Sequence, residues 1–283
     1  MKKLIVNLCP TGMIPTKELT PHVPLSPEEI IADVLSCAKI GVSMVHLHAR
    51  DADGKPAYRK DIYAEIISGI RNQRPDLIIV VSTSGRNFNE FEKRADALDL
   101  KGDLKPDMAS LTLSSLNFPK CASSNSPDMI IKLADKMQQN GIKPELEVFD
   151  LGMVNYAEYL ISKGLLEPPY YFNIILGNIA TAQAKMQHLG LIVSELPDNS
   201  IWSVGGIGVS QKNMNLLGII AGDGVRIGIE DNIWFDDDKA VLTTNSLLID
   251  RVVKMSELTG RQIATPHETR GLLVLSEFVI AVN

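Results

Sequence analysis

The chain is poor in cysteine. Cys9, Cys37 and Cys121 are the three in 283 residues, far apart and without a CxxC pair. That excludes a disulfide framework and a cysteine-built zinc site. No apolar run approaches the ~20 residues that a membrane helix needs. Runs of Lys or Arg are missing too, and 28 basic against 34 acidic residues leave a net charge of −6, the wrong sign for a nucleic-acid surface. There is no Walker loop, no GxSxG elbow and no Ser/His/Asp spacing worth weighing. The opening MKKLIVNLCPTG has two lysines and a short apolar run that stops at a polar turn, too early for a signal-peptide core. A cytoplasmic protein is expected.

What the sequence does contain is a repeated unit: a short β-rich apolar run, a polar turn, then an amphipathic helical stretch. The expected strands are Leu4–Cys9, Met44–Ala49, Ile78–Ser82, Met108–Leu113, Glu145–Phe149, Phe172–Leu176, Trp202–Gly206 and Val225–Glu230. Helix signals stand between them. Ser26-Pro27-Glu28-Glu29 reads as a capping box with Pro at the first helical position, and Gly41 closes that helix. Ile62, Ile66 and Ile70 form a stripe, Ser126-Pro127 opens another helix, and Ala240 to Leu258 reads as a longer one. Thr265-Pro266-His267-Glu268 reads as a loop before a final apolar run. Eight such units in one chain predict an α/β fold, a (β/α)8 TIM barrel. We expect a single domain over 1–283, with 261–283 as a C-terminal extension packing on the barrel. A doubly wound sheet is the rival, but Gly205-Gly206-Ile207-Gly208 has Gln211 where a GxGxxG turn places its last glycine.

Barrel enzymes work at the C-terminal strand ends, and alternate strand residues face the lumen. His46 and His48 are two apart and share a face. Such a pair is either the start of a metal site or two hydrogen-bonded core histidines. On the last strand, alternation puts Arg226, Gly228 and Glu230 on one face. A charge inside a barrel must be paired or ligating. Strand eight lies one position from strand two, so Glu230 can join both histidines, giving a two-His, one-carboxylate set with an open position. Pairing with Arg226 is the alternative role for Glu230. Ser82 leads into Thr83-Ser84-Gly85, whose amides and hydroxyls suit an anion. Ser110 and Thr112 share a face of strand four, and Glu145 and Glu147 share one of strand five, with Glu147 nearer the top.

These residues resemble a known family, the beta-keto acid cleavage enzymes. The resemblance covers nearly the whole chain. It rests on Pro10-Thr11-Gly12, Pro27-Glu28-Glu29-Ile30, His46-Leu47-His48-Ala49-Arg50-Asp51 running to Asp53-Gly54, and Ser82-Thr83. Further along come Leu116-Asn117-Phe118, Pro144-Glu145-Leu146-Glu147-Val148, Gly152-Met153, Arg226-Ile227-Gly228-Ile229-Glu230-Asp231-Asn232 and Ala264-Thr265-Pro266. It implies a barrel assembled as a homotetramer, with one zinc ion per chain held by His46, His48 and Glu230. The implied reaction takes a β-keto acid and acetyl-CoA to acetoacetate and a new acyl-CoA. Asp231 is implied as general base, held by Arg226 and assisted by Ser82. Ser110, Thr112 and the Gly85 backbone are implied for the substrate carboxylate, and Glu147 for the network beside the zinc.

One departure stands out. Aminohexanoate-cleaving members of the family carry a glutamate two residues after the Thr-Gly of strand one, where it meets the substrate ammonium; this chain has Ile14. An aliphatic side chain cannot offset a buried cation, so 3-keto-5-aminohexanoate is not the expected substrate. A neutral or apolar tail fits Ile14 better, or a second carboxylate if Lys17 points inward. Two other readings stand beside this one. One is a metal-dependent lyase or hydrolase of a β-keto or β-hydroxy acid that makes no use of acetyl-CoA. The other is a ligand-binding barrel without catalysis. Nucleic-acid and membrane partners are expected of none of them.

Overall fold

The computed structural model describes residues 2–276. Eight parallel strands close into a barrel: β1 (Ile5–Leu8), β2 (Met44–Leu47), β3 (Ile78–Val81), β4 (Met108–Thr112), β5 (Lys143–Val148), β6 (Tyr170–Leu176), β7 (Ser200–Gly206) and β8 (Gly224–Ile227). They follow one another around the barrel in chain order, and β8 closes onto β1 through the pairs Ile5–Gly224 to Leu8–Ile227. Seven helices pack outside: α1 (Pro27–Gly41), α2 (Lys60–Arg71), α3 (Pro127–Gln139), α4 (Leu151–Ser162), α5 (Met186–Ser194), α6 (Ser210–Ala221) and α7 (Asn245–Leu258). The β3–β4 crossover instead uses the short helix Phe91–Arg94 and two 3-10 turns. Among the described residues no helix is long and apolar enough to cross a membrane.

The local chemistry explains the element ends. Ser26 Oγ accepts from the Glu29 N–H at 3.2 Å while the Glu29 carboxylate reaches back to the Ser26 N–H, the reciprocal cap that starts α1. Two expectations need correction. The helix expected from Ala240 starts at Asn245, because Thr244 caps it and Asp236 Oδ1 takes the Ala240 and Val241 amides into a loop. The segment expected as a loop at 265–268 is a second capping box, in which Thr265 and Glu268 satisfy each other's N–H groups and open α8 (Pro266–Leu273).

Alternation along the strands layers the lumen. At its N-terminal end Ile5, Met44, Ile78, Met108 and Tyr171 pack with Ala264 and with Leu273 of α8. Residues 261–276 thus close that end. Arg261 donates to the Gly218 and Ile219 carbonyls, and Arg270 to Asp107 Oδ1 at 2.7 Å. Residues 277–283, the rest of the expected extension, lie outside the described residues. Above the apolar layer comes a buried polar one, with Asn7, His46, Glu145, Asn173 and Ser203. The main apolar core lies between strands and helices, where Val6, Val45, Ile79 and Ile174 meet Ile30, Ile66 and Leu133. The site is therefore built on a filled barrel, not over a pore.

One buried link ties a helix to the barrel mouth. Asn245 Nδ2 donates to Asp33 Oδ2 at 2.7 Å and to the Pro10 carbonyl at 3.0 Å, while its Oδ1 accepts from the Ile229 N–H at 2.8 Å. Burial pushes the Asp33 carboxyl up to about 6 against the Asn245 hydrogen bond. A carboxyl raised above its ordinary value of 3.8 favours the fold when protonated. Its contribution is fully present below that value and is lost as pH rises through about 6. Asp33→Asn is expected to stabilise the protein by about 1 kcal/mol at pH 7.5, roughly 2 °C in Tm, with the difference vanishing near pH 4. Thermal melts of both proteins across that range check it.

Candidate active site

The two histidines of β2 and the loop after it point into the lumen one above the other. His46 Nε2 lies 3.2 Å from His48 Nε2, which lies 3.1 Å from Glu230 Oε1. On the far side of its ring, His46 Nδ1 donates to Glu145 Oε2 at 2.6 Å. Glu145 Oε1 accepts from Asn7 Nδ2 at 2.6 Å and Asn173 Nδ2 at 3.0 Å. That carboxylate is fully buried and fully used, so it fixes the His46 ring with Nε2 aimed at His48 and Glu230.

Glu230 arrives by a route that alternation does not give. β8 stops at Ile227, and the chain turns at Gly228, so Glu230 does not share a strand face with Arg226. The Asp231 and Asn232 amides return to the Gly228 carbonyl, and the Glu230 N–H donates to the Cys9 carbonyl at 3.2 Å. Two glycines make this approach possible. A Cβ on Gly228 would sit 2.0 Å from the Cys9 oxygen, and one on Gly12 would sit 2.5 Å from Glu230 Cγ. Arg50 holds the Gly12 loop in place, donating twice to the Gly12 carbonyl and once to that of Pro15.

Arg226 links the carboxylates. Its Nη2 donates to Glu230 Oε1 and its Nε to Asp231 Oδ2, both at 2.7 Å. Glu147 Oε1 lies 3.7 Å from its Nη1, and Glu147 Oε2 accepts from the Thr112 hydroxyl at 2.6 Å. Charges this close divide their titration. Burial raises the Glu230 carboxyl, but His48 and Arg226 outweigh it and hold the group well below the usual range. Burial, with the Glu230 charge beside it, pushes Asp231 up in spite of Arg226. Burial disfavours both imidazolium forms. At His46 the Glu145 carboxylate overcomes it and lifts the ring to about 9, whereas His48 stays below its ordinary value.

A cavity of about 590 Å³ opens over these groups, lined by His48, Ser82, Thr112, Glu147, Arg226, Glu230 and Asp231 together with Ile14, Arg86 and Phe118. The expected residues do not all reach it. Ser110 and Gly85 are not on its wall. The Ser110 hydroxyl accepts from the Thr83 N–H at 3.1 Å, and the Gly85 carbonyl accepts from the Ser124 N–H at 3.2 Å. Two amides of the expected anion nest are engaged internally, that of Thr83 by Ser110 Oγ and that of Ser84 by Ser82 Oγ. Lys17 points outward to Glu29 at 2.8 Å, so it offers nothing to a substrate. Two contributors went unread in the sequence: Glu145 as the partner of His46, and Arg86. The first had a signal in the Glu-Leu-Glu alternation of β5, which does not say which glutamate sits at histidine depth.

The donor set fits a divalent ion. Ligand atoms on a tetrahedral centre with bonds of ~2.1 Å stand about 3.4 Å apart, close to the spacings above. Glu230 Oε2 is moreover buried without a hydrogen-bond partner. His46 also lies near Glu145 and Glu147, but Glu145 already accepts three hydrogen bonds and serves as a positioning group.

The sequence pattern of the beta-keto acid cleavage enzymes matches residues 3–275. The chain belongs to that family. It is 36% identical over 280 residues to a 3-keto-5-aminohexanoate cleavage enzyme of Fusobacterium nucleatum, covering 98% of this chain and 100% of the relative. A 3-oxoadipate:acetyl-CoA acetyltransferase of Cupriavidus necator is 32% identical over 280 residues, covering 98% and 96%. Among solved structures, the apo structure of ObcA superposes with a TM-score of 0.80 at 20% identity, over 91% of this chain and 66% of that longer one. That likeness shows the barrel fold.

The Gly12 contact gives a direct test. Gly12→Ala is expected to displace Glu230 and to weaken zinc binding at least tenfold in a calorimetric titration, with far-UV circular dichroism preserved. Zinc affinity equal to the wild type would remove the close approach from the explanation of the site.

Proposed function

We propose that the protein is a zinc-dependent enzyme that converts a β-keto acid and acetyl-CoA to acetoacetate and a new acyl-CoA. The observation that carries this is the convergence of His46, His48 and Glu230 beside an Arg226-held Asp231, all but His46 lining the cavity. His46, His48 and Glu230 would hold the ion, which when bound supplies a Lewis acid for the keto and carboxylate oxygens of the substrate.

The chain's own groups supply the proton transfer. Burial raises Asp231 above the ordinary carboxylate value, which suits a base that must remove a proton from the carbon between two carbonyls. Arg226 fixes its orientation by Nε and Nη2. The Ser82 hydroxyl accepts from the Ser84 amide at 3.2 Å, so its own proton is free for a substrate oxygen. Thr112 and Glu147 form the opposite wall, where the Thr112 hydroxyl donates to Glu147. The carbon nucleophile so formed attacks the thioester carbonyl of acetyl-CoA and expels the CoA thiolate. The thiolate adds to the substrate's own keto carbon, the bond from that carbon to the α-carbon breaks, and the acetoacetate carbanion takes back the proton from Asp231 as the new acyl-CoA forms.

The acetyl-CoA-independent lyase or hydrolase is not favoured, because the Cupriavidus relative is named as an acetyl-CoA transferase. The family resemblance adds a homotetramer to this reading. The substrate tail is not cationic in this reading, because Ile14 lines the cavity and stands where, by the family resemblance, the aminohexanoate-cleaving members carry their glutamate.

Mass spectrometry of the zinc-loaded enzyme with β-keto acids of cationic, neutral and anionic tails, with and without acetyl-CoA, tests the reaction. Acetoacetate and a new acyl-CoA are expected only with acetyl-CoA; cleavage without it overturns the proposal. Asp231→Asn is expected to lower kcat about 10³-fold with zinc retained. The acidic limb of the wild-type kcat/KM profile is expected above the usual carboxylate range, because the base must lose its proton. Ile14→Glu is expected to raise kcat/KM for 3-keto-5-aminohexanoate at least tenfold; no gain would separate residue 14 from tail recognition.

A further inference from the structure

The loop after β3 carries an arginine that the proposed reaction does not use. Arg86 lines the cavity that holds Ile14, His48 and Glu230. Its guanidinium carbon lies 3.6 Å from the centroid of the Phe118 ring, so the group rests on an aromatic platform at the tip of the hairpin formed by Leu116–Asn117 and Ala122–Ser123. Its Nε is buried with no hydrogen-bond partner. Among the described residues no carboxylate comes within ion-pair distance of it; Glu230, Glu147 and Asp231 act on it only from further off.

Neighbouring arginines differ. Arg226 is taken by Glu230 and Asp231, Arg50 by the carbonyls of Gly12, Pro15 and Gly54, and Arg94 by Thr83, Ser124 and Asn125. A guanidinium drawn half out of water without a counter-ion is unfavourable until an anion reaches it. Its planar fork matches a carboxylate through two parallel hydrogen bonds.

We propose that Arg86 is a specificity-determining residue, and that the preferred β-keto acid carries a second carboxylate at the end of its tail. This rests on the reading above, in which the keto-acid end of the substrate lies against His46, His48 and Glu230. The tail then runs past Ile14, which offers apolar contact to its methylenes, and ends at Arg86 on its Phe118 platform. The expected role of Lys17 thereby passes to a residue on another loop. The same fork would also accept a phosphate of acetyl-CoA, and the test separates these sources.

The experiment compares 3-oxoadipate with 3-oxohexanoate, which have the same chain length, in the zinc-loaded wild type and in Arg86→Met and Arg86→Lys. Met keeps an apolar stem on Phe118 and removes the charge; Lys restores the charge without the fork. The wild type is expected to favour 3-oxoadipate. Arg86→Met is expected to lower the ratio of kcat/KM for the two acids about 100-fold, and Arg86→Lys to recover part of it. Calorimetric binding of 3-oxoadipate without acetyl-CoA is expected to weaken in Arg86→Met by a similar factor. An equal loss on both acids with a raised KM for acetyl-CoA overturns the proposal and places Arg86 on the coenzyme. So does 3-oxoadipate binding that is the same in wild type and Arg86→Met. If turnover proves independent of acetyl-CoA while the calorimetric discrimination holds, the reaction fails and the tail assignment stands.

Discussion

Arg226 is a guanidinium buried in the lumen of a closed barrel, 2% exposed. Such a charge is tolerable only when carboxylates meet it, and here two come from the turn just beyond its own strand. The bonds to Glu230 and Asp231 constrain that turn, and the turn presents one carboxylate to the histidines and the other to the cavity. Removing the guanidinium would leave like charges facing each other in a dry site. The neighbouring strand leaves it room, since a Cβ built on Gly205 of β7 would sit 3.0 Å from Arg226 Cβ. The proposed metal and base roles therefore both depend on one side chain, and the separation of Glu230 from Asp231 in proton affinity follows from who shares the cation. Glu230 has His48 as well and is held low, whereas Asp231 is left higher by its burial and by the Glu230 charge.

A second constraint is backbone proximity. The β1 loop and the turn after β8 touch, through the Cys9 carbonyl and the Glu230 amide, with no side-chain atom between Gly12 and Glu230. Arg50, from the His46–His48 segment, locks the same loop by its carbonyls. Strands one, two and eight are neighbours around the barrel, so the ligand set and its supports come from one contiguous third of the wall. The Glu145 bond comes from across the lumen and reaches only the back of His46. The front is thereby left open to a substrate.

Strand positions and the histidine pair were legible because a parallel barrel repeats one simple pattern, and because two imidazoles on alternate residues must share a face. Depth relative to the other strands was not legible. Alternation puts Glu145 and Glu147 on the same side of β5, but only the stagger of the barrel shows that Glu145 meets His46 while Glu147 meets Thr112. Alternation also carried β8 too far, since it cannot register that Gly228 ends the strand. The Thr83–Gly85 segment reads as open because its amides are free on paper; those of Thr83 and Ser84 go to the hydroxyls of Ser110 and Ser82. Nothing in the sequence distinguishes Arg86 from a surface arginine, because Phe118 approaches it from a hairpin more than thirty residues away.

These placements separate two kinds of residue. The groups that would hold an ion and move the proton in the proposed reaction sit on strands or on turns pinned to strands by buried hydrogen bonds, where a small shift is costly in a packed lumen. The groups facing the tail, Ile14, Arg86 and Phe118, sit on loops or a hairpin tip beyond the strand ends, where a side chain can change without moving the barrel. A fold built this way can keep one condensation–cleavage chemistry while exchanging a cationic tail for a neutral or anionic one. Exchanging Glu for Ile at position 14 alone only removes an attraction, leaving the cavity indifferent to an uncharged tail. An arginine resting on an aromatic ring would supply the opposite attraction, and selectivity needs both changes, because discrimination is a difference between two binding energies.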